Sequence, residues 1–383
     1  MMNKRVIIVD FNHMSYNFYN SKFQPTARVV VNGEVITKKT AIPNGAIKNI
    51  HRWSNGGTFP TAVCFDRPVP SRKSWFQSNF PDMKVGTDKE YKGGRERMSD
   101  DMFEGIQDSE GILRRAGVSC FSERNYEADD LICACVKRAK EKYPGLPIDI
   151  ITNDADLLPL VDDTVSVFLR SKKMTYAVDP SIEKNKYVQV TPDNYQEIVE
   201  DLSQFKGFHL PYNTVLLYKI LRGDSSDGYK RKDVSALYPP KKFNAMIEAM
   251  EADGVDFTQF KYGEPQYKIM YRDTGEVFQG TMKDALNSPD KSRLFQKIMN
   301  PKELDYILEM LRRYSPISDE QLDHVEKVYW GMNLNQIYPH KDKRLARRAY
   351  VVGKNGHPDI DTFNEIELQK QLNPLDIKLN IKF

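Results

Sequence analysis

The apolar residues of the first half of the chain fall into short, nearly unbroken runs. They are RVIIVD at 5–10, TAVCFD at 61–66, the start of IDIITNDAD at 148–156, and TVSVFL at 164–169. Runs this short and this apolar predict strands buried on both faces. Between them the apolar spacing changes to three and four, as in GAIKNIHRW at 45–53 and in Ala128, Leu131, Ile132, Cys135, Val136 and Ala139. Strands alternating with helices predict an α/β class: a central, mostly parallel sheet flanked by helices, with right-handed crossovers.

Beyond residue 190 the pattern is helical. TPDNYQEIVEDL opens with a Thr cap and a Pro at the first helical position. PYNTVLLYKIL leads into RGDSSDGYKRK, and a Pro pair at 239–240 precedes another helix, KFNAMIEAMEA. YKIMYRDTGEVFQ at 267–279 reads as a hairpin on a DTG turn. Helices are expected over 291–329, followed by a basic, irregular end. The expected division is an α/β core over 1–190, a helical region over 191–255, and a helical and mixed C-terminal accessory region over 256–383.

The composition, 40% hydrophobic and 28% charged over 383 residues, is that of ordinary globular proteins. No apolar run approaches the ~20 residues of a membrane helix, and the start is too short for a signal-peptide core. Cys64, Cys120, Cys133 and Cys135 fit no metal-ligand spacing. They read as reduced, mostly buried thiols of a cytoplasmic protein.

The candidate chemistry is acidic. Asp10 ends the first strand, Asp66 the second, and Asp154 and Asp156 follow the third. In open parallel sheets, ligands sit at the carboxyl ends of the strands. One such Asp is an ordinary turn residue; three strands ending this way on one edge are not. NYEADD adds Glu127, Asp129 and Asp130 at a helix start. Acids are favoured there by the helix dipole, each by about 0.3–1 kcal/mol, with Asn125 as the N-cap. Three together also repel, so a cation is the better partner. Glu127 and Asp130 are three apart and share a helix face. Asp129 points to the other flank, where it binds through water or serves as a cap or surface acid.

Net charge is only +3, but the bases are segregated. Residues 67–97 hold eight Lys or Arg against four acids, 219–242 hold seven against three, and 341–354 hold six against one. Any one run could be a solvated face. Basic surface beside an acidic cluster points to a polyanion brought to metal ions.

The order YEADD, then NDAD, then GDSSD, with Asp10 and Asp66 before them, resembles the 5′-nuclease superfamily over about residues 4–245. That superfamily includes flap endonucleases, phage 5′-3′ exonucleases, the exonuclease domains of bacterial DNA polymerases and the ribonuclease H of T-even bacteriophages, the nearest in pattern. The resemblance implies a PIN/5′-nuclease-like fold and two Mg²⁺ or Mn²⁺ ions. It implies that Asp10, Asp66, Glu127, Asp129, Asp130, Asp154, Asp156, Asp224 and Asp227 hold them. YKGGR at 91–95 resembles the family's arch motif, which makes Lys92 and Arg95 contacts to the scissile phosphate within an arch-like segment of about 67–125.

Two features depart from the family. Asn153 replaces the usual Gly of the third motif, and the glycine-rich hairpin that grips duplex phosphates is missing after GDSSD. Lys230, Arg231, Lys232, Lys241 and Lys242 are the candidates to replace it. Trp75, Phe76, Phe80 and Tyr91 either stack an unpaired base or form the underside of the loop.

The donor chemistry agrees independently, since carboxylates alone suit hard divalent cations. Two such ions about 4 Å apart activate a water and stabilise the leaving oxygen. The expected function is a structure-specific 5′ nuclease on branched or 5′-ended DNA and RNA·DNA hybrid in replication. It is expected to act as a monomer beside replication proteins such as a single-strand-binding protein or clamp, in a host cytoplasm if the protein is from a phage. The alternatives are a PIN-type single-stranded ribonuclease and a catalytically weak branched-DNA-binding protein.

Overall fold

The computed structural model describes residues 4–22, 24–68, 70–80, 92, 98–124, 126–170, 187–223, 232–271, 275–281, 293–333, 352–353 and 358–379. Its centre is a six-stranded sheet. β1 (Val6–Asp10) lies between β4 (Thr61–Cys64) and β6 (Ile148–Thr152); β5 (Ser119–Phe121) lies outside β4, and β7 (Val165–Arg170) and then β8 (Tyr187–Val190) lie outside β6. All neighbours are parallel except β7 and β8. The chain builds outward from β1 to β4 and β5, then crosses back to β6. The carboxyl ends of β1, β4 and β6 therefore flank the reversal of strand order, where α/β sheets place ligands.

The strands are apolar throughout because both faces are covered. Val6, Ile8, Ala62, Cys64, Ile148 and Ile150 join one core cluster, and Ile7, Val9, Val63 and Ile151 the other. The first face is covered by α5 (Ala128–Lys142), α7 (Val215–Arg222), α9 (Pro240–Ala252), α10 (Lys302–Tyr314) and α11 (Asp319–Met332). The second is covered by α1 (Phe11–Tyr19), α2 (Lys48–Trp53), α4 (Asp100–Arg115) and α12 (Glu365–Leu372). Among the described residues the remaining α-helices are α3 (Pro70–Asn79), α6 (Tyr195–Asp201) and α8 (Lys232–Leu237).

The expected hairpin is present: β9 (Gln266–Tyr271) runs antiparallel to β10 (Val277–Gly280). The helices expected over 291–329 require correction. Their first part, Arg293–Met299, is a strand, β11, on the other side of β9, and only 302–314 and 319–332 are helical. The register shifts between Phe295 and Lys297. Such a bulge breaks the alternation of apolar residues and leaves Leu294, Phe295, Ile298 and Met299 at helix-like spacing. A second hairpin not anticipated from sequence joins β2 (Thr26–Val31) to β3 (Glu34–Lys39) through Asn32 and Gly33, both at positive φ.

The boundary expected at 255/256 is not a break in packing, since α10 and α11 share a core with α5 and α7. Residues 359–379 return to the N-terminal core. Thr61 N–H donates to the Asp361 carbonyl (3.0 Å) and Phe363 N–H to the Gly57 carbonyl (3.1 Å). A Cβ on Gly57 would lie 2.3 Å from the Phe363 carbonyl oxygen, so only glycine fits. All four cysteines are free and buried. Among the described residues, no helix is long and apolar enough to cross a membrane.

Arg138 on α5 grips Asp359 with two nitrogens, at 3.0 and 2.8 Å. That contact holds the Asp359 carboxyl well below the usual carboxylate range. A depressed pKa means stability present above the unfolded value of about 3.9 and lost as pH falls below it. Asp359→Asn should destabilise the protein by up to about 1 kcal/mol at pH 7, the upper end for a pair this open to solvent. The gap from wild type should shrink by pH 3.5, and urea denaturation at the two pH values checks it.

Candidate active site

Asp10 is buried where β1 passes into α1. One carboxylate oxygen accepts from the His13 N–H (3.3 Å) and the other from the Thr152 hydroxyl (2.8 Å). Thr152 Oγ1 in turn accepts from the Asp154 N–H (3.0 Å), and Asp154 Oδ1 from the Asp156 N–H (2.9 Å). The ends of β1 and β6 are thus locked to each other through side chains. Asp66, two residues beyond β4, accepts from the Ala128 N–H at the start of α5 (2.8 Å), and its own N–H donates to Asn12 Oδ1 (3.1 Å). The carboxyl edge of three adjacent strands therefore carries Asp66, Asp10 and Asp154, as the strand ends predicted.

Asp129 completes the edge. Its carboxyl is pushed well above the ordinary carboxylate range, first by burial and then by Asp154, Asp10, Asp66 and Glu127. Asp10 is also raised, by burial first, with Asp66 and Asp154 adding to it and His13 and Thr152 opposing. His13 reaches both acids, at 3.2 Å from Asp10 and 3.9 Å from Asp154.

The other acids have partners within the protein. Arg72 on α3, 3% exposed, bonds both Glu127 and Asp130, the latter at 2.5 Å. Asp130 also accepts from the Glu127 N–H (2.9 Å), the capping arrangement of α5. Lys92 pairs with Glu127, and Lys219 on α7 pairs with Asp156. Glu127 and Asp130 do share a helix face, as their spacing requires, but that face meets Arg72. Asp129, expected on the outer flank, is the member of the trio turned toward the acids of the strand ends. The N-cap of α5 is Glu127; Asn125, expected there, lies outside the described residues.

Arg95, Asp224, Asp227, Lys230 and Arg231 also lie outside the described residues, as does Tyr91. Lys232 opens α8, and Lys241 and Lys242 stand exposed in the first turn of α9. Trp75 and Phe76 are buried, and Phe80 packs edge-on against His324 (5.5 Å between centroids). Trp75 and Phe76 are the underside of α3 and are not open to a base, and Phe80, just past the helix, is partly buried beside them.

Sequence reasoning passed over His13, Arg72, Thr152 and Lys219. Arg72 and Lys219 did leave a signal, a single base on an otherwise apolar helix face, with Trp75 and Phe76 after one and Leu216 and Ile220 around the other. Such a base needs a buried anion.

Replacing Arg72 tests how much it holds. Arg72→Met takes the guanidinium from two buried carboxylates and leaves Glu127 with Lys92, a loss of about 3–5 kcal/mol. Adding Glu127→Gln and Asp130→Asn should recover most of it. Chemical denaturation of the single and triple variants checks both, and a single variant within about 1 kcal/mol of wild type would remove Arg72 from this role.

The donors on this edge are carboxylates, the set that suits Mg²⁺ or Mn²⁺. Among the described residues no three His, Cys, Asp or Glu side chains converge into a ready-made cage; the acids line an edge. Their mutual repulsion is what a divalent cation relieves, so the residues present fit such an ion.

The chain is similar in sequence to known proteins over its first half and beyond. Residues 5–188 match the 5′-3′ exonuclease N-terminal resolvase-like domain. DNA polymerase I of Lactococcus lactis is 28% identical over 140 residues, which is 37% of this chain and 14% of the polymerase. The chain thus spans about a seventh of the length of that relative. The 5′-3′ exonuclease of Mycoplasma pneumoniae is 24% identical over 316 residues, 81% of this chain and 96% of that one. Among solved structures, the phage T5 flap endonuclease in complex with DNA and metal ions aligns with a TM-score of 0.47 and 15% identity, covering 97% of this chain and all of that one. The match to the 5′-3′ exonuclease N-terminal resolvase-like domain thus covers just under half of the chain.

Proposed function

We propose that the protein is a divalent-metal-dependent 5′ nuclease, a 5′-3′ exonuclease and flap endonuclease acting on DNA and on RNA·DNA primers during replication. The observation that carries this reading is the edge shared by Asp10, Asp66, Asp129 and Asp154, where burial and the neighbouring acids push Asp10 and Asp129 up, within the residues that match a 5′-3′ exonuclease domain. These four would hold the first ion, and a second would draw on the GDSSD acids Asp224 and Asp227. Bound there, the ions supply an activated water and charge stabilisation at the leaving oxygen.

The chain's own groups position and neutralise. The Asp10–Thr152–Asp154 linkage sets the spacing of the acids. Lys92, paired with Glu127 and held at φ 58°, stands beside the site as a movable positive charge. An exchange of Glu127 for a phosphate oxygen brings that charge to the transition state. Arg95, three residues on in the same motif, is proposed as its companion. On the flank, Lys241 and Lys242 sit at the positive end of α9, where bases are disfavoured by the helix dipole. An anion outside the protein gives them a reason to be there. They, with Lys230, Arg231 and Lys232, are proposed to hold duplex phosphates in the region 191–255.

A 5′-labelled flap, a 3′ flap, a nicked duplex and an RNA hairpin digested side by side with Mg²⁺ separate this reading from a single-strand ribonuclease and from a binding protein. Cleavage of the 5′ flap should stop with EDTA, and Asp154→Asn should lower kcat by orders of magnitude with the fold intact. A normal rate in EDTA overturns the metal reading.

Lys92→Ala should cost about 3–4 kcal/mol in kcat, as for loss of one charged transition-state contact, with little change in substrate Kd. Single-turnover rates at saturating enzyme check this. Lys241→Ala with Lys242→Ala should flatten the dependence of log K for duplex DNA on log[salt] by up to about 1.8, roughly 0.9 per phosphate lost. Titrations from low to moderate salt decide it.

A further inference from the structure

Asp156 is the acid that the family pattern pairs with Asp154, yet the two have different surroundings. Asp154 is foremost among the carboxylates that push Asp129 up. Asp156 instead turns its Oδ1, sealed from solvent, onto the ammonium of Lys219. Its backbone is pinned as well, because the buried Tyr262 hydroxyl donates to the Asp156 carbonyl (3.0 Å). Lys219 is 8% exposed on a helix otherwise lined with Val215, Leu216, Leu217, Ile220 and Leu221. An ammonium in such surroundings requires a matching anion, and it cannot leave without exposing that anion to a desolvated site.

We propose that Lys219 stands at Asp156 where a divalent ion would otherwise bind, which makes Asp156 a positioning residue and not a metal ligand. The inference rests on the metal-dependent reading above. The lysine is covalently delivered by α7, so its charge is present at every turnover and at any metal concentration. It also lies one turn before Gly223, so its pairing with Asp156 ties the end of α7 to the loop that follows β6. A further ion would then have to be assembled without this carboxylate.

The test is Mn²⁺ binding to the full-length protein without nucleic acid, measured by calorimetry and by electron paramagnetic resonance of free Mn²⁺. Wild type, Asp154→Asn, Asp156→Asn, Lys219→Met and the Lys219→Met/Asp156→Asn pair are compared after a circular dichroism check of fold. Asp154→Asn should weaken binding at least tenfold, and Asp156→Asn should leave the isotherm within about twofold of wild type. Lys219→Met should free Asp156 and add a site or strengthen binding at least tenfold. The double variant should lose that gain.

Weakening by Asp156→Asn equal to that of Asp154→Asn overturns the proposal, as does an unchanged isotherm in folded Lys219→Met. Should Lys219→Met not fold, the Asp156→Asn isotherm decides alone. An Asp154→Asn isotherm equal to wild type, or no Mn²⁺ binding at all, overturns the metal-dependent reading and this proposal with it.

Discussion

Carboxylates gathered at a buried strand edge repel one another, and the repulsion must be met by positive charge or by proton uptake. Asp10 and Asp129 show the strain directly, since burial and the neighbouring acids both push them up. Much of the surrounding structure answers that demand. α1 brings His13, α3 brings Arg72, the YKGGR motif brings Lys92, and α7 brings Lys219. α5 contributes its first N–H groups, one of them to Asp66. Elements far apart in sequence thus converge because each carries one part of the compensation.

The compensation is uneven, and the unevenness sorts the acids. Glu127, Asp130 and Asp156 are paired with side chains of the protein. Asp10, Asp66 and Asp154 have hydrogen-bond donors, His13 reaches two of them, and burial with the neighbouring acids pushes Asp10 and Asp129 up. A cation arriving from solution gains most where the protein has supplied least. On the proposed metal-dependent reading, an ion would be drawn to the carboxylates that lack a basic side chain, whose geometry is held by Thr152 and the strand ends.

The sheet and its acidic edge were legible because buried parallel strands are uniform and the acids end them abruptly. RVIIVD, TAVCFD and IDIIT each became strands within a residue or two of their apolar runs. The misread stretch, Arg293–Met299, carries a bulge that imitates helical spacing. The roles of Glu127, Asp129 and Asp130 were harder for a different reason. Helical geometry said which of them share a face, but what meets that face is Arg72, 55 residues away from Glu127. The same holds for Lys219 and for the C-terminal return of Asp359 and Asp361, where partners are set by tertiary packing and no local pattern announces them.

That packing also fixes where the basic segment begins. α3 is held on two sides: Trp75 and Phe76 press on α11 so closely that a Cβ at Gly331 would lie 2.3 Å from the Phe76 ring, and Arg72 is buried against α5. Displacing α3 would open the core and take Arg72 from two carboxylates, whereas displacing Lys92 breaks its ion pair with Glu127 at a half-buried position. The first costs several kcal/mol, the second about 1 or less. α3 is therefore the more firmly held of the two. Arg72 stays on Glu127 throughout, so the carboxylate that Lys92 leaves is still compensated, and the lysine can move without disturbing the acids behind it.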